Sequence, residues 1–544
     1  VRPLRLRAEG EGAEAVEFRT DVRELGSGLR MDWSVRNGGR HPATLDRLHV
    51  DLEAHPTAVL EHGWQSWSVV RRCPPADVRP QRQRVPRWRR AMYLAEADRA
   101  GRVVAGDQFL LTDAGLAGFL DGRRHLSTVE AGPVGGLTAT ALLDGVTLPP
   151  GGERALDPLW LTSAEPGPAY SEFAHHWGVE GGARAAAPAP FGWCSWYHYY
   201  AAVTPADVRA NLRAAAPRGV DVVQIDDGYQ AAIGDWLACR PSWAEGTAAL
   251  AADIRAAGVR PGIWTAPFLA AATSPVVRDH PDWVLRDLRG RPARAMRSPW
   301  WPEGWALALD PTHPGVLDHL AGLYTALAAQ GFDYHKVDFC YAAALAGRRH
   351  DPSRTRAQAL HGGLAAIRDA LGDSAFLLGC GAPFGPSVGA VDAMRVSPDV
   401  APRWGPARTL PGLEEAASCA RSAILTSLLR APLHRRLWVN DADCLLLRPT
   451  QTDLTPRQRQ ALADAVAGLG AFAVLSDDLA TYGPEEWDLV ARVRAAADPR
   501  QGGADAPLDI DDPFAADVTV RSPAYALVAS KGADRVVRSS SQRR

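Results

Sequence analysis

The sequence predicts a three-domain chain: an N-terminal β-sandwich, a central (β/α)8 TIM barrel and a small C-terminal β-domain. Three observations carry that expectation. Apolar and polar residues alternate through roughly the first 165 positions. Eight short apolar stretches, separated by helical patterns, then fill about 300 residues. A tail from about residue 500 returns to short strand-like segments.

In the first region Leu29, Met31, Trp33 and Val35 alternate with polar residues, as do Leu48, Val50 and Leu52, the period of half-buried antiparallel strands. Turns such as Asn37-Gly38-Gly39 punctuate them, and a sandwich is the default architecture. The stretch GGARAAAPAP (181–190) is small and Pro-rich and reads as a connector. The strand candidates of the barrel are FGWCSWY (191–197), DVVQIDDGY (221–229), RPGIWTAPF (260–268), FDYHKVDF (332–339), SAFLLGCGAP (374–383), DAMRVSPD (392–399), RRLWVNDADC (435–444) and FAVLSDDL (472–479). Helical patterns lie between them: one opens at Thr204-Pro205, another is TAALAADIRAAG, and TPRQRQALADAVAGLG is the clearest. The residues between the third and fourth strands, including SPWWPEGW, read as an insertion. A doubly wound open sheet is the rival, weakened because no GxGxxG follows the first strand. ADVTVRS and AYALVAS read as strands of the C-terminal domain. The expected boundaries are 1–170, 171–497 and 498–544.

Composition narrows the function. Of 544 residues, Lys+Arg number 60 and Asp+Glu 62, a formal net charge of -2. That balance argues against a nucleic-acid or polybasic membrane partner. The run RPQRQRVPRWRR (79–90) concentrates six arginines around a tryptophan, yet in so balanced a chain it reads as a solvated loop. Seven cysteines without CxxC spacing indicate neither a zinc site nor a disulfide framework. No apolar h-region opens the sequence, and no run approaches the ~18 apolar residues that span a bilayer, so a cytoplasmic protein is expected. Only two of the 60 basic residues are lysine, Lys336 and Lys531.

In a barrel, chemistry collects at the C-terminal ends of the strands. Here those ends carry Trp193, Trp196 and Tyr197; Asp226 and Asp227; Trp264; Lys336 and Asp338; Cys380; Arg395 and Asp399; Asn440, Asp441 and Asp443; Asp477 and Asp478. A metal barrel would want histidines beside the carboxylates. Only His198 and His335 are near, and alternation turns His335 away from Lys336. Well-separated carboxylates among aromatic walls are instead the equipment of glycoside chemistry. Each residue also has a plainer reading. Asp338 and Lys336 could be a structural ion pair, Asp226-Asp227 a turn, Asp399 a helix cap, and Cys380 a small core residue.

Taken together, GWCSWYHYY, QIDDGYQ, GIWTAPF, GFDYHKVDFCYAAALAG, GCGAPFGPSVGAVDAMRVSPDVAPRW and WVNDADCLLLR resemble the bacterial α-galactosidases (melibiases) of glycoside hydrolase family 36. The likeness follows the whole barrel in order, and GWQSWS (63–68) extends it into the N-terminal domain. Ala442 departs from the proline expected in WVNDPDC, which bears only on a loop shape. The resemblance implies a retaining exo-α-galactosidase with Asp338 as nucleophile and Asp399 as general acid/base. It implies Asp226 and Asp227 as the grip on galactose O4 and O6, with Lys336 on the same sugar. Arg395 and Cys380 would lie around O2 and the acid/base, with Trp64, Tyr197 and Trp264 as walls. It further implies no cofactor and no metal. The partner would be a small α-galactoside of the melibiose/raffinose class, with homo-oligomer formation left open. A galactosyl transferase of the raffinose-synthase kind, specificity for α-N-acetylgalactosamine, and a catalytically inactive sugar-binding protein are the alternatives.

Overall fold

In the computed structural model the described residues are 1–78, 90–93, 104–132, 136–407, 416–470, 472–497, 506–530 and 535–540. The arginine run at 79–89 and Lys531 lie outside them.

The barrel wall is eight parallel strands: β1 (Phe191–Cys194), β2 (Val222–Ile225), β3 (Arg260–Thr265), β4 (Tyr334–Val337), β5 (Phe376–Gly379), β6 (Ala393–Arg395), β7 (Val439–Asp441) and β8 (Ala473–Leu475). Each falls inside the stretch predicted for it. Apart from the first residue of β3 every position is buried, which is why these strands read as continuous runs rather than as alternation. The sheet runs unbroken from β7 through β1 to β8. The last gap is bridged where Leu445 pairs with Leu475 and its N–H donates to Val474 O at 2.8 Å. A nearly closed parallel sheet excludes the doubly wound rival.

The helices start where the sequence marks them. Thr204 and Asp207 form a reciprocal capping box at the head of Pro205–Ala215. Thr455 and Gln458 do the same for Pro456–Gly468. Between β3 and β4 the insertion makes a three-stranded antiparallel sheet from Leu269–Ala271, Arg294–Arg297 and Trp305–Ala308. Its Ser298–Gly304 segment turns back toward the barrel mouth.

Thirteen N-terminal strands are joined in one sheet. It buries Met31, Trp33 and Val35 from Gly28–Asn37 and Leu48, Val50 and Leu52 from Ala43–Glu53 in a core of its own. The strands Val59–His62 and Val70–Cys73 pair antiparallel, and the connection between them is GWQSWS. That tip docks on the barrel, where Phe384 N donates to Trp64 O at 2.9 Å. A helix over Pro166–Gly181, absent from the sequence expectation, follows the sheet, and position 170 falls inside it. Its Tyr170, Phe173 and Trp177 pack on Phe109 of the sheet. A four-stranded antiparallel sheet (Asp509–Ile510, Val518–Arg521, Tyr525–Ala529, Val536–Ser540) forms the C-terminal domain. Among the described residues no helix is long and apolar enough to cross a membrane.

Candidate active site

Asp338 leaves the end of β4 with both carboxylate oxygens engaged. Trp264, on β3, donates Nε1 to Oδ2 at 3.1 Å, and the N–H of Phe339 donates to Oδ1 at 2.7 Å. Phe339 has φ 52°, a left-handed conformation that a bulky side chain seldom takes and that costs about 1–3 kcal/mol. That turn folds its N–H back onto the preceding carboxylate.

Lys336 points into the mouth beside Asp338, while His335 turns the other way and lies against Phe332 O and the Tyr324 ring. The Lys336 ammonium donates to Asp226 Oδ2 at 2.9 Å, not to Asp338. Burial opposes its charge, but the carboxylates of Asp226 and Asp338 outweigh burial and hold it charged well above the ordinary lysine range. Asp226 also accepts from Gln224 Nε2 and the Cys194 thiol on Oδ2, and from Asp227 N on Oδ1. Its neighbour Asp227 accepts from Gln230 Nε2 at 2.6 Å and from Trp301 Nε1 at 2.9 Å. Burial pushes the Asp227 carboxyl up to about 6. A carboxylate has about four acceptor positions, so two donors leave room for two hydroxyls.

Asp399 lies four residues past the end of β6, near enough to Asp338 for the charge of Asp338 to act on it. Trp67 of the N-terminal tip donates Nε1 to its Oδ1 at 3.0 Å, and Arg395 Nη1 stands 3.6 Å from the same oxygen. The side chain keeps 38% exposure toward the mouth, yet enclosure by the surrounding protein and the charge of Asp443 push its carboxyl up to about 6, against the pull of Arg395. Arg395 is otherwise committed: Nε donates to Asp441 Oδ2 at 2.9 Å and Nη2 pairs with Asp443 Oδ1 at 2.7 Å. Asp443 in turn accepts from the Tyr197 hydroxyl and from Val400 N at 2.7 Å, so it braces the backbone just after Asp399.

The remaining expected residues are placed as follows. Cys380, just past β5, is buried with its thiol pushed well up by burial and by the charge of Asp338, and stays neutral. Tyr197 is buried with its hydroxyl tied to Asp443. Trp64 lies against Tyr341 and donates to Met92 O at 3.4 Å. The indole from GWQSWS that meets a carboxylate is Trp67. It rests on Gly381, where a Cβ would come within 2.5 Å of the ring.

Two tryptophans were therefore missed. Trp67 shares a motif with Trp64, and only the path of the hairpin tip tells them apart. Trp301 sits in SPWWPEGW, which the sequence marks as an insertion without saying that it returns to the mouth. Its indole supplies one of two donors to Asp227, and hydrogen bonds to charged groups are worth about 1.5–3 kcal/mol. Trp301→Phe should therefore let Asp227 hold its proton to higher pH, since the indole N–H is one of the donors that keep its carboxyl down. An acid limb of the activity profile moved upward from wild type checks it, and an unmoved limb would contradict this role. Among the described residues no group of three or more His, Cys, Asp or Glu could hold a metal ion.

The sequence model of the Melibiase family matches residues 185–372. Among solved structures, the α-galactosidase from Thermus thermophilus in complex with p-nitrophenyl α-D-galactopyranoside is similar at 28% identity and TM-score 0.75, covering 98% of each chain. A structure of the Thermus thermophilus enzyme with stachyose is similar at 30% identity and TM-score 0.73, covering 89% of this chain and 97% of that one. Alpha-galactosidase 2 of Pediococcus pentosaceus is 25% identical over 185 residues, 32% of this chain and 25% of that protein. The match thus spans about a quarter of that curated relative's length.

Proposed function

The chain belongs to the glycoside hydrolase family 36 α-galactosidases, the melibiases, and from that premise we propose that it hydrolyses terminal α-linked galactose from melibiose- and raffinose-class oligosaccharides, exo-acting and with retention of configuration. The observation that carries the reading is the contrast between two carboxyl groups. Asp338 is held by two N–H donors, one on each carboxylate oxygen. Asp399, with a carboxyl pushed up to about 6, is available as an acid. Asp338 attacks C1 as the C1–O bond breaks and Asp399 passes its proton to the leaving oxygen, giving a galactosyl ester. A water then gives its proton to Asp399 while its oxygen attacks C1, and Asp338 departs as carboxylate. Asp226 and Asp227 accept the O4 and O6 hydroxyls through the oxygens that take a single donor each, Oδ1 of Asp226 and both oxygens of Asp227, and an epimer at O4 would leave a buried acceptor unpaired. Seven free thiols favour a reducing cytoplasm.

The sign of the pH dependence follows. Bond cleavage needs Asp399 protonated, so kcat/KM falls as pH rises through about 6. Asp227 must be ionised to accept two hydroxyls, so kcat/KM falls again as pH drops through about 6. The expected profile is a narrow bell centred near pH 6. The test is turnover of p-nitrophenyl α-galactoside and melibiose, with proton NMR following the anomer released first. α-Galactose supports retention and β-galactose contradicts it. Absence of turnover on any α-galactoside would sink the specificity. A galactosylated product formed with an acceptor sugar, at the expense of free galactose, would favour the transferase.

A further inference from the structure

Arg430 follows the helix Ala420–Leu429 and is fully buried, yet none of its partners among the described residues is a carboxylate. Taking a guanidinium out of water without a counter-ion is costly, so what it touches instead is informative. Nη1 donates to Val396 O at 2.6 Å and to Ser66 O at 3.2 Å. Nη2 donates to Gln65 O at 3.1 Å and Gly63 O at 3.5 Å, and Nε to His62 Nε2 at 3.3 Å. The ring of Phe384 lies 4.8 Å from its central carbon. Burial and the charge of Arg430 hold His62 well below its ordinary range, so its nitrogen can accept.

These contacts join two separate segments. One is the GWQSWS tip of the N-terminal sheet; the other is the chain between β6 and Asp399. A single nitrogen, Nη1, reaches both: Ser66 immediately precedes Trp67, and Val396 lies three residues before Asp399. Across the same junction Trp67 Nε1 donates to Asp399. The planar fork of arginine can serve several carbonyls at fixed angles, which a lysine ammonium cannot reproduce.

We infer that Arg430 is a positioning residue for the acid/base, holding the N-terminal tip in register so that the Trp67 indole N–H meets the Asp399 carboxyl. The inference rests on Asp399 being the general acid/base. An N–H aimed at a carboxylate favours its ionised form, so releasing Trp67 makes Asp399 hold its proton to higher pH. Asp443, Arg395, Asp338, Tyr197, Tyr200 and Cys380 also act on Asp399, and none of them is a hydrogen-bond partner of Arg430 among the described residues.

The experiment is the pH profile of kcat/KM on melibiose, whose leaving group needs a proton, for wild type, Arg430→Lys, Arg430→Gln, Trp67→Phe and the Arg430→Gln/Trp67→Phe double variant. The position of a limb is set by the sites that turn over, so partial unfolding does not disguise it. Each single variant should move the alkaline limb upward by about half a unit to one unit, and the double variant no further than Trp67→Phe alone. A limb left in place by both Arg430 substitutions, or a shift that adds to that of Trp67→Phe, would overturn the inference. An alkaline limb that persists in Asp399→Ala, read with p-nitrophenyl α-galactoside, would instead overturn the assignment of Asp399.

Discussion

Replacing Asp338 by glycine is expected to lower turnover of p-nitrophenyl α-galactoside on the order of 10⁴-fold or more, the usual scale for removing a nucleophile. The fold should survive. Asp338 sits past the end of β4, so glycine there leaves the buried strand itself untouched and takes the acceptor from only two donors, Trp264 Nε1 and Phe339 N. Azide should then restore part of the activity by entering the vacated space and attacking C1 from the same face. The C1–O bond breaks in that single displacement and p-nitrophenolate leaves without needing a proton. The product should be β-galactosyl azide, since one inversion has no second to cancel it. An unimpaired Asp338→Gly would sink the mechanism. Rescue that yields the α-azide would place the nucleophile elsewhere.

The barrel was legible because its strands are short, wholly buried and separated by marked helix starts. Eight apolar stretches and capping signals such as Thr455 to Gln458 suffice to order them. Residues on those strand ends were legible for the same reason, since alternation alone separates Lys336 from His335. What sequence could not supply is where excursions from the barrel come back. Trp301 returns from an insertion and Trp67 from a different domain, and neither placement follows from local periodicity. The helix Pro166–Gly181 escaped notice for a related reason. Its buried residues recur at helical spacing on one face, but Gly167, Ala169, Ala174, Gly178 and Gly181 are small, so only Tyr170, Phe173 and Trp177 carry a strong apolar signal. Arg430 illustrates the limit most clearly. In a chain with 58 arginines, one more carries no signal until its acceptors are seen to be carbonyls from two segments.

Lysine is the opposite case, and Lys336→Arg is expected to lower kcat/KM by about 10²-fold or more while Tm changes by only a few degrees. The position keeps one of only two lysines against 58 arginines. Its side chain is 7% exposed, and its ammonium sits 2.9 Å from Asp226 on a strand neighbour of Trp264, which holds Asp338. A compact ammonium can lie between the carboxylate that would grip the sugar and the one that would attack it. A guanidinium keeps the charge, so the pair with Asp226 and the stability it represents largely remain, but its planar fork needs more width. Making that width must move Asp226 or Asp338, and a displacement near 1 Å at a reacting group costs about 10²-fold. Lys336→Met should lose more activity, because Asp226 is then a buried carboxylate without its cation, the circumstance in which breaking a pair costs about 3–5 kcal/mol. The two variants separate geometry from charge: kcat/KM on p-nitrophenyl α-galactoside reads the first, thermal unfolding the second. Near-normal activity in Lys336→Arg would show that charge alone is required there, and the retained lysine would revert to coincidence.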